Sequence, residues 1–245
     1  MIRNWAATAA AAIRTTPAPV TRTLIVLCCL VFLVGPASGL NPAHGSGDEL
    51  LAAQRAYFRR WGVIPADLFD ESPAAVLTPA TALFVHGSWV HLLGNMLFLH
   101  VFGPMTEARL GRVRFALCYA GCGYLALLGY AAANAGSERS LVGASGAISA
   151  VLGAFLFLFP RGRVTSLLPF ALFLPVRLPA WVVLPFWAAL QWAAAGRAAE
   201  GGPGVAHLAH LVGFGLGIGC AWVWRGGATT VKSAPAPAPE GENQP

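Results

Sequence analysis

Charge is what this 245-residue sequence has least of: Asp, Glu, Lys and Arg make up 11% of it, against roughly 25% in a soluble domain. Acids are the scarcer sign, ten against sixteen Lys and Arg. Too few charges are present to solvate a globular surface, which excludes an ordinary water-soluble domain. Cysteine is sparse as well. Cys28, Cys29, Cys118, Cys122 and Cys220 all fall in apolar stretches, and an odd number so placed builds no disulfide framework; they read as small core residues. The formal charge of +6 is spread over tails and short loops, a distribution that fits control of membrane topology and not a basic face for nucleic acid.

What fills the chain instead is apolar: 56% of it is hydrophobic and the mean hydropathy is +0.62. Several runs approach the roughly 20 residues that cross a hydrocarbon core of about 30 Å. The chain therefore reads as an all-α membrane protein with a single membrane domain over residues 23–225. Six spans are expected, at Thr23–Val34, Thr81–Met105, Phe115–Ala133, Leu141–Pro160, Trp181–Ala195 and Val205–Trp224. Residues 164–180 are apolar but broken by Pro169, Pro175, Arg177 and Pro179, which suits a path partly along the interface. Residues 1–22 form an N-terminal tail. An alternative, a signal peptide cut at Ala37-Ser38-Gly39, fits less well because the leading region is long and five more spans follow. Residues 41–80 make a long outer loop that holds half of the acids, and the Ala-Pro alternation of 226–245 reads as a disordered tail.

Positive charge orients the six spans. With both termini inside, eleven of the sixteen Lys and Arg fall on the inner side, leaving Arg55, Arg59, Arg60, Arg139 and Arg197 outside. The bias places the N and C termini in the cytoplasm, and spans two, four and six all run inward.

That orientation brings polar groups into one layer. His86, His91 and Asn95 open span two, Ser145 opens span four, and His210 lies early in span six. At 1.5 Å per residue each sits roughly 5–15 Å below the outer surface. Polar side chains at that depth are costly unless they pair or face a wet cavity, so they are functional candidates. Ser145 alone reads as a packing residue; with a histidine on a neighbouring helix to take its proton it reads as a nucleophile. Gly213 and Gly217 share the face of His210, and Gly146, Ala150 and Gly153 give span four a matching small-residue stripe that permits close approach in lipid. No acid lies near the layer, since Glu107 is at the inner end of span two, so a Ser-His dyad oriented by packing is expected. His91 and Asn95, four apart on one face, are candidate donors for the developing oxyanion, with the backbone N–H of Ser145 as another.

Taken together, Gly143-Ala144-Ser145-Gly146, Ala209-His210-Leu-Val-Gly213 and His91-Leu-Leu-Gly-Asn95 resemble the rhomboid family of intramembrane serine proteases. The stretch Gly103-Pro-Met-Thr-Glu107-Ala-Arg-Leu-Gly111 is similar to the family's Gly-x3-Glu-x3-Gly turn. The resemblance runs from about Tyr57 to Trp224 and implies a six-transmembrane-helix rhomboid-like bundle. It implies Ser145 as nucleophile, His210 as base, and His91, Asn95, His86, Gly143 and Ala144 in or supporting the oxyanion site. It also implies cleavage of single-span membrane proteins within the lipid bilayer, without metal or any other cofactor, and an outer loop that lies partly in the membrane. Ala206-His207 and Ala209-His210 both look like the family's Ala-His pair; the glycines three and seven residues downstream favour His210. Val212 departs from the commonest Ala-His-x-Gly-Gly form.

Trp181, Phe186, Trp187 and Trp192 on span five either gate substrate entry or face lipid as aromatic anchors. Two rival functions stand beside the protease: a membrane protein holding metal or haem through His86, His91, His100, His207 and His210, and a catalytically silent relative that binds membrane helices. The first lacks a His-Glu-x-x-His pair, and the second usually lacks the serine or the histidine, both of which are here. Residue usage rich in Ala, Gly, Pro and Arg points to a bacterial inner membrane. Nothing in the sequence sets the oligomeric state.

Overall fold

Proline or glycine marks several of the helix ends, though Pro104 and Pro185 lie inside helices. The computed structural model describes residues 17–68, 75–168, 174–199 and 206–225; the expectations for most of the N-terminal tail, for Asp70 and Glu71, for the 201–204 loop and for the C-terminal tail lie outside the described residues. Helix α1 (Pro19–Val34) opens on a proline, whose missing N–H is no loss in a first turn, and closes at Gly35. It is followed by α2 (Gly47–Trp61), the short α3 (Pro65–Leu68) and α4 (Thr78–Ala82), then α5 (Trp89–Leu110) and α6 (Arg112–Ala133). Next come α7 (Ser145–Leu158), strands β1 (Arg163–Leu168) and β2 (Leu174–Pro179), α8 (Ala180–Ala199) and α9 (His207–Trp224).

Helix α7 is the axis of the bundle. Every residue from Gly146 to Phe155 is buried, with α5, α6 and α9 packed around it and α8 touching it more lightly. The closest approach is to α9. A Cβ added at Gly213 would run into the carbonyl of Gly146, one at Gly217 into that of Ala150, and one at Gly153 into that of Phe214, so backbone lies directly on backbone. The core around this contact takes Leu99 and Phe102 from α5, Phe115 and Tyr119 from α6, and Val151 and Leu152 from α7. Large apolar side chains also point outward, among them Leu93, Leu97, Leu117, Leu125 and Trp192, as a lipid-facing surface requires. Helices α6 and α9 are each long and apolar enough to cross a membrane, and α1, α7 and Ala180–Gly196 are shorter apolar helices.

The Gly103, Glu107 and Gly111 motif proves to join three helices. Glu107, buried at the inner end of α5, accepts hydrogen bonds from the backbone N–H of Val20 at 3.0 Å and of Thr21 at 2.7 Å, and from Thr21 Oγ1 at 2.7 Å. It thus satisfies orphan donors at the N-terminus of α1, where a negative charge is favourable. Gly103 leaves the space, since a Cβ there would meet Thr21 Cγ2 at 2.6 Å. Gly111, at φ +83°, makes the reversal between α5 and α6. Glu107→Ala is expected to lower stability by about 1–3 kcal/mol, the cost of buried donors left unpaired, read as a drop in the thermal unfolding midpoint in detergent.

Two span boundaries are corrected, and the proline-broken stretch takes a definite form. The bundle is mostly helical, but β1 and β2 form an antiparallel hairpin, Arg163 opposite Pro179 through Leu168 opposite Leu174. Prolines at 175 and 179 forbid a helix here and are tolerated in a two-stranded ribbon, where both strands are edges. Span four does not start as helix at Leu141: Leu141 pairs as a β-bridge with Val63, and α7 begins at Ser145 because Gly143, at φ +128°, cannot be helical. Span two is broken, with α4 ending at Ala82 and α5 starting at Trp89. Ser88 is the reason, as its extended backbone and its side chain, accepting from the His91 N–H at 3.2 Å, cap the new helix. His86 therefore lies in the connection before α5, not on it.

Candidate active site

Ser145 is the first residue of α7, held in place by the strand-like turn before it. Leu141 N–H donates to Val63 O at 2.7 Å, Val63 N–H to Leu141 O at 2.9 Å, and Gly143 N–H to Ala82 O at 2.9 Å. The outer loop and the end of α4 thereby fix the point at which the chain turns into α7. Ser145 Oγ lies 2.8 Å from His210 Nε2 on α9. The Gly213–Gly146 approach one turn deeper makes that distance possible.

The other ring nitrogen of His210 has a partner that the sequence reading passed over. Gln191 Oε1, on α8, lies 2.8 Å from His210 Nδ1 and 2.8 Å from His207 Nδ1. An amide oxygen only accepts, so His210 carries its proton on Nδ1, and Nε2 is left with a lone pair toward the serine hydroxyl. Trp187 stacks beside His210 at 6.2 Å between centroids. Of the two Ala-His histidines, His210 meets Ser145 and His207 meets Gln191 instead. Gln191 was legible by the same rule that marked the histidines: a lone amide in an apolar span must find a partner.

Facing the serine across the turn is α5. His91 Nδ1 accepts a long hydrogen bond from the Gly87 N–H at 3.4 Å, which leaves Nε2 as the donor of a neutral ring. A Cβ on Gly143 would lie 2.7 Å from that Nε2, so the residue before Ala144 must be glycine both for its φ and for the imidazole beside it. Asn95, one turn on, is buried with its Nδ2 making no hydrogen bond. His86 donates from Nδ1 to Phe84 O at 3.2 Å and packs against the His91 ring at 5.3 Å, supporting it from behind. His91, Asn95, Ser145, Trp187, Gln191 and His210 line one cavity of about 560 Å³ between α5, α7, α8 and α9, while His86, Gly143, Ala144 and His207 lie outside its wall. Among the four aromatics of span five, Trp187 turns into this cavity, while Trp181, Phe186 and Trp192 are exposed.

A model of the rhomboid domain matches residues 74–226. The chain belongs to the rhomboid family. It is therefore an integral membrane protein in a family that includes proteases. A Bacillus subtilis (strain 168) protein named "Putative rhomboid protease YdcA" is 37% identical over 78 residues, 32% of this chain and 39% of that protein. An Arabidopsis thaliana protein, "RHOMBOID-like protein 5", is 30% identical over 128 residues, 52% of this chain and 40% of the relative. The chain thus spans about two fifths of the length of these curated relatives. The rhomboid match begins near the end of the outer loop and takes in α4 through α9, including every helix that carries a site residue.

Proposed function

We propose that this rhomboid-family protein is an intramembrane serine protease that hydrolyses peptide bonds in or near single transmembrane segments, with Ser145 and His210 as its dyad. The observation that carries the reading is the 2.8 Å contact of Ser145 Oγ with His210 Nε2 in the wall of a cavity that also holds the unpaired Asn95 amide. In the first step Ser145 Oγ attacks the scissile carbonyl carbon while His210 Nε2 takes the hydroxyl proton. His91 Nε2–H and Asn95 Nδ2–H donate to the oxygen that becomes negative. The tetrahedral adduct collapses, the C–N bond breaks, and the proton on Nε2 goes to the leaving amine. Water then repeats the cycle on the acyl-serine, giving its proton to Nε2 and releasing the carboxyl product.

Among the described residues no carboxylate bonds to His210. Gln191 orients the ring through Nδ1, and a neutral acceptor suits a low-dielectric layer in which a buried unpaired carboxylate would be costly. The bundle is read as six spans over 23–225, with α1, α5, α6, α7, α8 and α9 crossing and the tails 1–22 and 226–245 in the cytoplasm. α2 has no buried residue, and the segment 41–80 lies partly against the outer leaflet. The host is read as a bacterial inner membrane.

The test is labelling of the full chain in detergent with a fluorophosphonate probe, which phosphonylates only an activated serine. Wild type labels at Ser145 and Ser145→Ala does not. Equal labelling of Ser145→Ala, or none of folded wild type, sinks the protease reading and leaves a silent helix-binding relative.

A further inference from the structure

Three cysteines come together far from the site just described. Cys118 and Cys122 sit one turn apart on one face of α6, and Cys220 reaches them from α9. All three sulfurs lie within 4.8 Å of one another, with Cys122 Sγ and Cys220 Sγ 3.4 Å apart. We infer that Cys118, Cys122 and Cys220 form a binding site for a thiophilic divalent d10 cation of the zinc class, tying α6 to α9.

Geometry separates this from the two plainer arrangements. Sulfurs bound to one Zn(II) at about 2.3 Å are spaced at about 3.8 Å when tetrahedral and about 4.0 Å when trigonal. The Cys122–Cys220 spacing of 3.4 Å is within about half an ångström of these values, and no pair of the three sulfurs is more than 4.8 Å apart. A disulfide needs about 2.05 Å, so Cys122 and Cys220 would have to close by more than an ångström and would leave Cys118 out. An S–H···S hydrogen bond accounts for the 3.4 Å approach of Cys122 and Cys220 but does not call for a third sulfur beside them, and Cys28 shows the contrast: its sulfur contacts the Leu83 carbonyl at 4.0 Å, on a different helix pair.

Coordination is through thiolate, so all three thiols release their protons to water on binding. Three thiolates around one divalent cation leave a single net negative charge, spread over three polarizable sulfurs. Cys118 and Cys122 are buried and Cys220 is half-exposed, which gives an incoming ion a first ligand to meet. Cys220 is four residues from the end of α9 and ten residues, about 15 Å, along that helix from His210. The site is thus structural or regulatory and separate from the dyad.

The experiment is titration of the reduced, metal-free full chain in detergent with Cd(II), following the thiolate-to-cadmium absorption band. One equivalent saturates the band in wild type and in the Cys28→Ala, Cys29→Ala double variant, and the band is lost in Cys122→Ala and Cys220→Ala. Because a cysteine variant that fails to fold would also lose it, alkylation of Cys220 by iodoacetamide is followed in wild type, where Cd(II) slows it at least tenfold. No saturable band in wild type, a band retained by Cys220→Ala, or alkylation of Cys220 indifferent to Cd(II) overturns the site.

Discussion

His210→Ala abolishes cleavage of a single-span reporter in liposomes, with a loss on the order of 10⁶-fold if the imidazole matters as much as in a soluble serine protease. His207→Ala keeps most of the activity. The two residues are three apart on α9 and both touch Gln191, so a role shared through that amide would predict equal losses. The geometry predicts otherwise, because His210 Nε2 lies 2.8 Å from the serine hydroxyl, while His207 Nδ1 is spent on Gln191. Gln191→Leu falls between. Losing one hydrogen bond to a buried ring costs about 1–3 kcal/mol, or roughly 5- to 150-fold in rate. Because Gln191 positions the base, the loss is expected in kcat with KM little changed. Equal losses for His207→Ala and His210→Ala would show a role shared through Gln191, and a loss confined to His207→Ala would show that the wrong histidine has been placed in the dyad.

How much of this was readable beforehand differs from one residue to the next, for physical reasons. Ser145, His91, Asn95 and His210 could be placed in one layer because charge bias and rise per residue fix depth along a span without any tertiary knowledge. The glycines at 146, 213 and 217 were readable because few contexts other than backbone contact call for small residues on one face of a lipid helix. Gln191 sits in the same layer and, as a lone amide in an apolar span, needed a partner just as Asn95 did. The true start of α7 was hidden because the run Leu141–Pro160 is apolar throughout, and hydropathy does not distinguish helix from the strand-like pairing of Leu141 with Val63. The hairpin at 163–179 was only half visible: prolines marked the break in the apolar run, but strand pairing and its register are set by the partner strand. Glu107 was seen as a turn residue, whereas its partners, Val20 and Thr21, are more than eighty positions away.

Gly217→Ala is expected to cost activity about as heavily as the loss of a positioning residue, although it lies two turns from the dyad. The added methyl would enter the carbonyl of Ala150, and its other near neighbours are Ala150 C and Cα at 2.6 Å. Those are backbone atoms that no rotamer change can move aside, so α9 must shift away from α7. The Ser145–His210 contact spans the same pair of helices, and a misplacement of about 1 Å in such a contact costs roughly 10²-fold. Stability should fall too, by about 1–3 kcal/mol for overpacking. Gly219→Ala is the matched control, two residues along the same helix, exposed, and with nothing within 4 Å of an added Cβ. It should leave cleavage and unfolding midpoint unchanged. Measuring kcat and midpoint for the pair separates backbone contact from helix propensity, which changes identically in both. If Gly217→Ala cleaves like wild type, the α7–α9 contact does not set the dyad distance, and His210 must be held by α8 through Gln191 alone.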